Sequence, residues 1–204
     1  MKRPAPKTTI QLTLIPLMSV LTGLMAQLYF YIGPIPYTMQ NFAVILTGLL
    51  LKPKFAFLAQ LFYLFLIALG LPLAAGFKGG FTVLLGPTAG YLWSFPLVAY
   101  LVSRIVRPIS NSSGVIKLWI ICNAISIITH IIGVLWLAYW VTLYDGVVLS
   151  WIMLVSSMLY LPKNFTIIIL STGMFIFIPQ DFLMDHLLAV ILYKKLSRIM
   201  EKLV

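Results

Sequence analysis

The strongest constraint on this chain is the length of its apolar runs. Ile10–Tyr31, Phe55–Leu71, Ala89–Val106 and Val115–Val141 carry almost no charge, and a helix needs about 20 such residues to cross a bilayer core. Within lipid, a helix satisfies every backbone N–H and C=O inside its own segment. Outer-membrane strands would instead show alternating segments of about 10 residues, a pattern this chain lacks. A soluble fold fails on composition. Of the 204 residues, 62% are hydrophobic and 9% charged, whereas soluble domains carry about a quarter charged residues. Too much apolar surface would remain in water. The chain therefore reads as a single all-α integral membrane domain over residues 1–204, a bundle of about six transmembrane helices.

Glycine and proline mark the breaks. Gly33-Pro34-Ile35-Pro36 closes the first span, and Tyr37–Leu51 follows as a shorter helix ending at Lys52-Pro53-Lys54. Gly70-Leu71-Pro72 ends the third span, and a glycine-rich stretch runs through Gly86-Pro87-Thr88 into the fourth. Arg107–Gly114 is a polar, basic loop, and Tyr144-Asp145-Gly146 is a turn. The segment 147–178 is extra: mostly apolar, interrupted by Pro162-Lys163-Asn164, and readable as a kinked span or as a hairpin of two short arms. A break at Pro179-Gln180-Asp181 then precedes a last helix to about Leu196 and a basic tail.

Charge arbitrates between these readings. The net charge of +10 would suggest nucleic acid on a soluble protein, but in a membrane protein basic residues mark cytoplasmic loops. No nucleic-acid partner is expected. With six spans and both termini in the cytoplasm, twelve of the 14 Lys and Arg lie inside, and Lys78 and Lys163 remain outside. A full span at 147–178 would carry the basic tail outside, so the charge pattern favours a re-entrant or interfacial hairpin there. Met1–Lys7 is basic, but the run after it is long and has no cleavage site, so it reads as a first span and not a signal peptide. Cys122 is alone and forms no intrachain disulfide.

This topology gathers the irregular loops, Gly33–Gln40, Ala74–Thr88 and Pro179–Asp181, on the outer face. Broken backbone at membrane depth is tolerated where it is buried in protein or lines a cavity, which is the layout of a binding protein. The cytoplasmic loops carry no Walker-type Gly-Lys-Ser/Thr. Asp181 is either an N-cap of the last helix or a ligand acceptor, since intramembrane carboxylates are costly and tend to be functional. Asp185, one turn on, could share its face. Lys78 beside Gly79 and Gly80 is an exposed lysine or an anchor for an anionic group approached by glycine backbone. Lys163 is a second such candidate, against a snorkelling role. Tyr91 and Trp93 are interface anchors, and Tyr91 could also wall a pocket. His130 and Cys122 read as packing residues, because one His without ligands at metal spacing makes no metal site. Ser19 and Gly23, four apart, serve either internal helix packing or docking to another membrane subunit.

Several segments resemble one family. Leu14-Ile15-Pro16-Leu17-Met18-Ser19-Val20-Leu21-Thr22-Gly23 with Ala26-Gln27 resembles the opening helix of BioY proteins, the biotin-binding S-components of energy-coupling-factor (ECF) transporters. Pro34-Ile35-Pro36-Tyr37-Thr38-Met39-Gln40 is similar to their PxPxTxQ loop. Gly70-Leu71-Pro72, Lys78-Gly79-Gly80 and Leu85-Gly86-Pro87-Thr88-Ala89-Gly90-Tyr91 resemble the GLP, GG and LGPTGGY elements. Gly133-Val134-Leu135-Trp136-Leu137-Ala138 and Ile178-Pro179-Gln180-Asp181 resemble GxLWLA and PGD.

The resemblance implies a six-helix S-component in a bacterial cytoplasmic membrane that captures biotin from outside. Its expected partners are biotin, membrane lipid, an ECF transmembrane coupling protein and ATPase subunits, or further copies of itself if it works alone. Ser19 and Gly23 would face the coupling protein. Asp181 would accept from the ureido N–H groups of biotin, with Gln40, Thr88, the backbone around Gly79–Gly80 and Asp185 adding contacts and Tyr91 covering the rings. No cofactor or catalytic residue is expected, because biotin is the transported ligand. The chain departs from the family where a lysine often follows the PGD aspartate by three residues: Met184 stands there, followed by Asp185. An arginine that some members carry after the tyrosine of LGPTGGY is Leu92 here. The carboxylate of biotin therefore needs another cation, and Lys78, with Lys163 in reserve, is the expected one. The rival readings are an S-component for another vitamin, or an intramembrane enzyme, which would need a nucleophile, base or metal set that the spacing of His130, His186 and Cys122 does not supply.

Overall fold

The computed structural model describes residues 7–32, 35–144, 146–158, 160, 173–174 and 177–203. Helix α1 (Lys7–Ala26) ends earlier than its apolar run. Tyr29–Ile32 (β1) and Ile35–Thr38 (β2) pair as an antiparallel hairpin, with Phe30 opposite Tyr37 and Ile32 opposite Ile35. The expected span to Tyr31 and the helix start at Tyr37 are thus corrected, and the hairpin is a small addition to a helical bundle. Alternating aromatic and branched side chains suit a pleated, half-buried surface, and a short apolar run does not by itself separate strand from helix. Ile35 and Tyr37 point inward, and the Tyr37 ring stacks on Phe30 at 5.4 Å.

Helix α2 (Gln40–Leu50) is buried along nearly its whole length and forms the centre of the bundle. Its Gly48 allows close approach to helix α5 (Ala89–Ile105): a Cβ there would meet Ala99 O at 2.8 Å and Val102 Cβ at 2.7 Å. Helix α3 (Pro53–Ala68) packs on α1 and α5, a single turn α4 (Phe81–Leu84) follows the glycine-rich loop, and α6 (Val115–Leu143) packs on α5. Thr8–Ala26, Ala89–Ile109 and Val115–Leu143 are long and apolar enough to cross a membrane, while α2, α3 and α7 (Val147–Met158) are shorter apolar helices.

A polar seam joins the first three helices. Ser19 Oγ donates to Ala59 O at 2.6 Å, and Gln60 Nε2 donates to Thr22 Oγ1 and Thr47 Oγ1 at 3.1 and 3.0 Å. Gly23 abuts Leu73, whose Cδ2 would lie 2.7 Å from an added Cβ. Ser19 and Gly23 therefore pack inside the chain, the internal one of their two expected roles. Small residues at this spacing let α1 approach its own neighbours, and the exposed face of α1 carries Leu17, Val20 and Leu24 instead.

The last helix, α8, opens at Ile178–Gln180, passes through a π-helical turn at Asp181–Asp185 and continues as His186–Leu203. The expected break at Pro179-Gln180-Asp181 is absent. Pro179 sits in the first turn, where its missing N–H costs nothing, and the basic tail beyond Leu196 is helical. The π turn leaves backbone without its usual intrahelical partner, and Trp119 Nε1 donates to Phe182 O at 2.6 Å. Asp145, Pro162, Lys163 and Asn164 lie outside the described residues, so the hairpin expected over 147–178 is described only in α7, Tyr160, Gly173–Met174 and the approach to α8.

Candidate functional site

A cavity of about 260 Å³ opens at one end of the bundle, between β2, the start of α2, the loop from Ala74 to Thr88 and the starts of α5 and α8. Each wall has a local cause. Gln27, just past the end of α1, holds the glycine-rich loop: its Nε2 donates to Ala74 O at 3.0 Å, and its Oε1 accepts from Phe77 N at 3.0 Å. Phe77 then adopts φ +56° and Gly80 φ +91°, and Ala74 bridges to Lys78. This turn presents Lys78, exposed to solvent, as part of the lining.

Gly79 and Gly80 do not reach the lining. A Cβ on Gly79 would lie 2.4 Å from Leu71 O, so the glycine lets the loop fold onto Gly70-Leu71 and acts through the position it gives Lys78.

Gln40 lines the cavity with its amide already engaged. Its Nε2 donates to Tyr63 Oη at 2.6 Å, its Oε1 accepts from Thr38 Oγ1 at 2.7 Å, and Tyr63 Oη donates on to Leu73 O. This relay ties β2, α2, α3 and the loop into one wall. Gln180 Nε2 donates to Thr38 O at 3.1 Å, fastening the hairpin to α8. Burial, with a smaller contribution from the Asp181 charge, pushes the Tyr37 phenol of the hairpin above its ordinary pKa.

Asp181 is 3% exposed and lines the cavity. Its φ and ψ of −60° and −47° place it within the helix, so the N-cap reading is overturned and the carboxylate is free to turn inward. Asn41 Nδ2 donates to its Oδ2 at 2.8 Å, and His130 Nε2 stands 3.4 Å from the same atom. Among the described residues no donor reaches Oδ1. Asp185 is fully buried, accepts from Phe42 N at 3.3 Å and is not part of the lining. It braces α2 against α8 behind Asp181.

Thr88 and Tyr91 line the far wall. Tyr91 Oη donates to Gly173 O at 2.6 Å, and its ring lies 5.1 Å from Phe177, which stacks on Tyr37 at 4.5 Å. Gly133 makes room for that ring, since a Cβ would sit 2.3 Å from it.

Lys163 lies outside the described residues. Of the expected residues, the cavity gathers Gln40, Lys78, Thr88, Tyr91 and Asp181. Sequence reasoning missed Asn41, and it gave no sign that His130, read as a packing residue, packs beside Asp181. Asn41 carried a signal, being next to Gln40 in a motif already singled out. His130 gave none, because its link to Asp181 depends on how α6 packs.

The fold and the site define a multi-pass membrane protein with a small-molecule cavity at one end of its bundle. The model of the BioY family matches residues 1–202, and the chain belongs to that family. A Pyrococcus horikoshii protein named "Probable biotin transporter BioY" is 39% identical over 134 residues, 64% of this chain and 76% of that one. A Bacillus subtilis protein of the same name is 48% identical over 87 residues, 43% of this chain and 46% of that one. A crystal structure of the S-component for biotin from an ECF-type ABC transporter aligns with TM-score 0.74, covering 97% of this chain and 95% of that chain at 22% identity, and so shares its fold.

Proposed function

We propose that this chain is a biotin uptake protein of the cytoplasmic membrane: a high-affinity substrate-binding component that captures biotin in the Asp181 cavity. It hands biotin on with an ECF coupling protein and ATPases, or acts alone. It transports and does not catalyse. Six spans (α1, α2, α3, α5, α6 and α8) with both termini in the cytoplasm put the cavity on the outer side, a topology supported by the charge pattern.

The observation that carries the reading is a buried carboxylate lining an aromatic-walled cavity, with Asn41 on one oxygen and, among the described residues, no donor on the other. Biotin offers two ureido N–H donors, an apolar thioether ring and a terminal carboxylate. Asp181 accepts from the ureido group, and charge-assisted bonds of this kind are about twice as strong as neutral ones. Tyr91 and Phe177 cover the rings, Thr88 and Gln40 line the polar side, and Lys78 meets the carboxylate, with Lys163 as the second cation.

The test is uptake of labelled biotin by cells expressing the chain, wild type against Asp181→Asn, with unlabelled biotin, thiamine and riboflavin as competitors. Uptake competed by biotin alone and lost in the variant is expected. Competition by another vitamin, or uptake indifferent to the variant, overturns the reading.

A further inference from the structure

At the opposite end of the bundle a second recess, of about 250 Å³, is lined by Arg104, Arg107, Ser110, Asn111 and Tyr193, with Pro53 between the exposed Lys52 and Lys54. Its floor is satisfied internally: Ser103 Oγ donates to Leu51 O, the Ser110 and Tyr193 hydroxyls share a hydrogen bond at 2.6 Å, and Lys194 Nζ donates to Ser110 O. Among the described residues the cations above that floor have no counter-charge. The acids among the described side chains are Asp181 and Asp185, both at the cavity end of α8.

The placement of basic residues on one side of a membrane needs only charged loops. It does not need a built recess with two guanidinium groups, which are suited to bidentate capture of phosphate. A second observation identifies the occupant. Trp93, Leu97, Tyr100 and Arg104 fall on one face of α5, and the first three are exposed large apolar or aromatic side chains. An apolar track thus ends at a guanidinium group. That is the complement of a molecule with acyl chains and an anionic headgroup.

We propose that this recess binds the phosphate of an anionic phospholipid, with Arg104 and Arg107 on the headgroup and the acyl chains along the exposed face of α5. The site rests on the membrane embedding of the bundle and not on the identity of the transported ligand. Basic pockets between helices on the cytoplasmic side recognise such headgroups.

Native mass spectrometry of the full chain, from micelles doped with equal phosphatidylglycerol and phosphatidylcholine, tests it. The wild type retains phosphatidylglycerol preferentially. Arg104→Gln/Arg107→Gln lowers that preference by about fivefold per arginine, while Arg104→Lys/Arg107→Lys keeps part of it. A parallel arm offers inorganic phosphate in place of the lipids. Equal retention of the two lipids by the wild type, an unchanged preference in the Gln variant, or binding of inorganic phosphate without phosphatidylglycerol overturns the proposal. Biotin binding by the Gln variant, measured alongside, reports that it is folded.

Discussion

The two ends of the bundle share two helices, and they treat charge in opposite ways. Helices α5 and α8 each line the cavity near their starts and the basic recess further along. At the cavity end, Asp181 and Asp185 are withdrawn from water and held by Asn41 and the Phe42 N–H, with His130 Nε2 3.4 Å from Asp181. At the basic end, Lys52, Lys54 and Arg104 are exposed. A buried carboxylate depends on correctly aimed donors and on its ligand, so it confers selectivity. An exposed cation is screened and adaptable, and it contributes mainly attraction and orientation.

Substitutions at the two ends should therefore differ in size. Asp181→Asn should weaken biotin binding most, by about 100-fold, because it removes a charge-assisted acceptor from a desolvated site; titration calorimetry on the purified chain measures this. Affinity within twofold of wild type would break the contrast. Gly133→Ala comes next. Its methyl group collides with the Tyr91 ring, and overpacking of this kind costs about 1–3 kcal/mol. A lower melting temperature and about tenfold weaker biotin binding are expected, with the thermal shift read against an equivalent change at Gly114, where an added Cβ meets nothing.

Lys78→Ala should cost less, about threefold in affinity, because the lysine is exposed and its ion pair screened. The loss should vanish for biotin amide, which lacks the carboxylate; an equal loss for both ligands would reassign Lys78. The smallest effect is expected at the other end, where Arg104→Gln/Arg107→Gln should leave biotin affinity within about twofold while changing lipid retention.

Much of the molecule is legible in one dimension. Long apolar runs, proline and glycine punctuation and the distribution of Lys and Arg give the approximate boundaries of α2, α3, α5 and α6, and a carboxylate in an otherwise apolar chain marks Asp181. The misses share a cause. Tyr29–Thr38 is as apolar as the helix before it, and only pairing across the turn makes it a hairpin. Ser19 and Gly23 have a spacing that serves any close helix contact, and the neighbours they meet, Ala59 and Leu73, are distant in sequence.

The sequence by itself determined that this chain belongs in a bilayer, where its helices start and stop within a few residues, and which acid is out of place. These follow from local composition and the transfer energy of side chains. Only the tertiary structure decided that Asn41 and His130 stand beside Asp181, that Asp185 braces behind it, and that Gly79 folds its loop onto Gly70-Leu71. Each of those roles depends on groups far apart in sequence being held within a few ångströms, and helix packing alone supplies that.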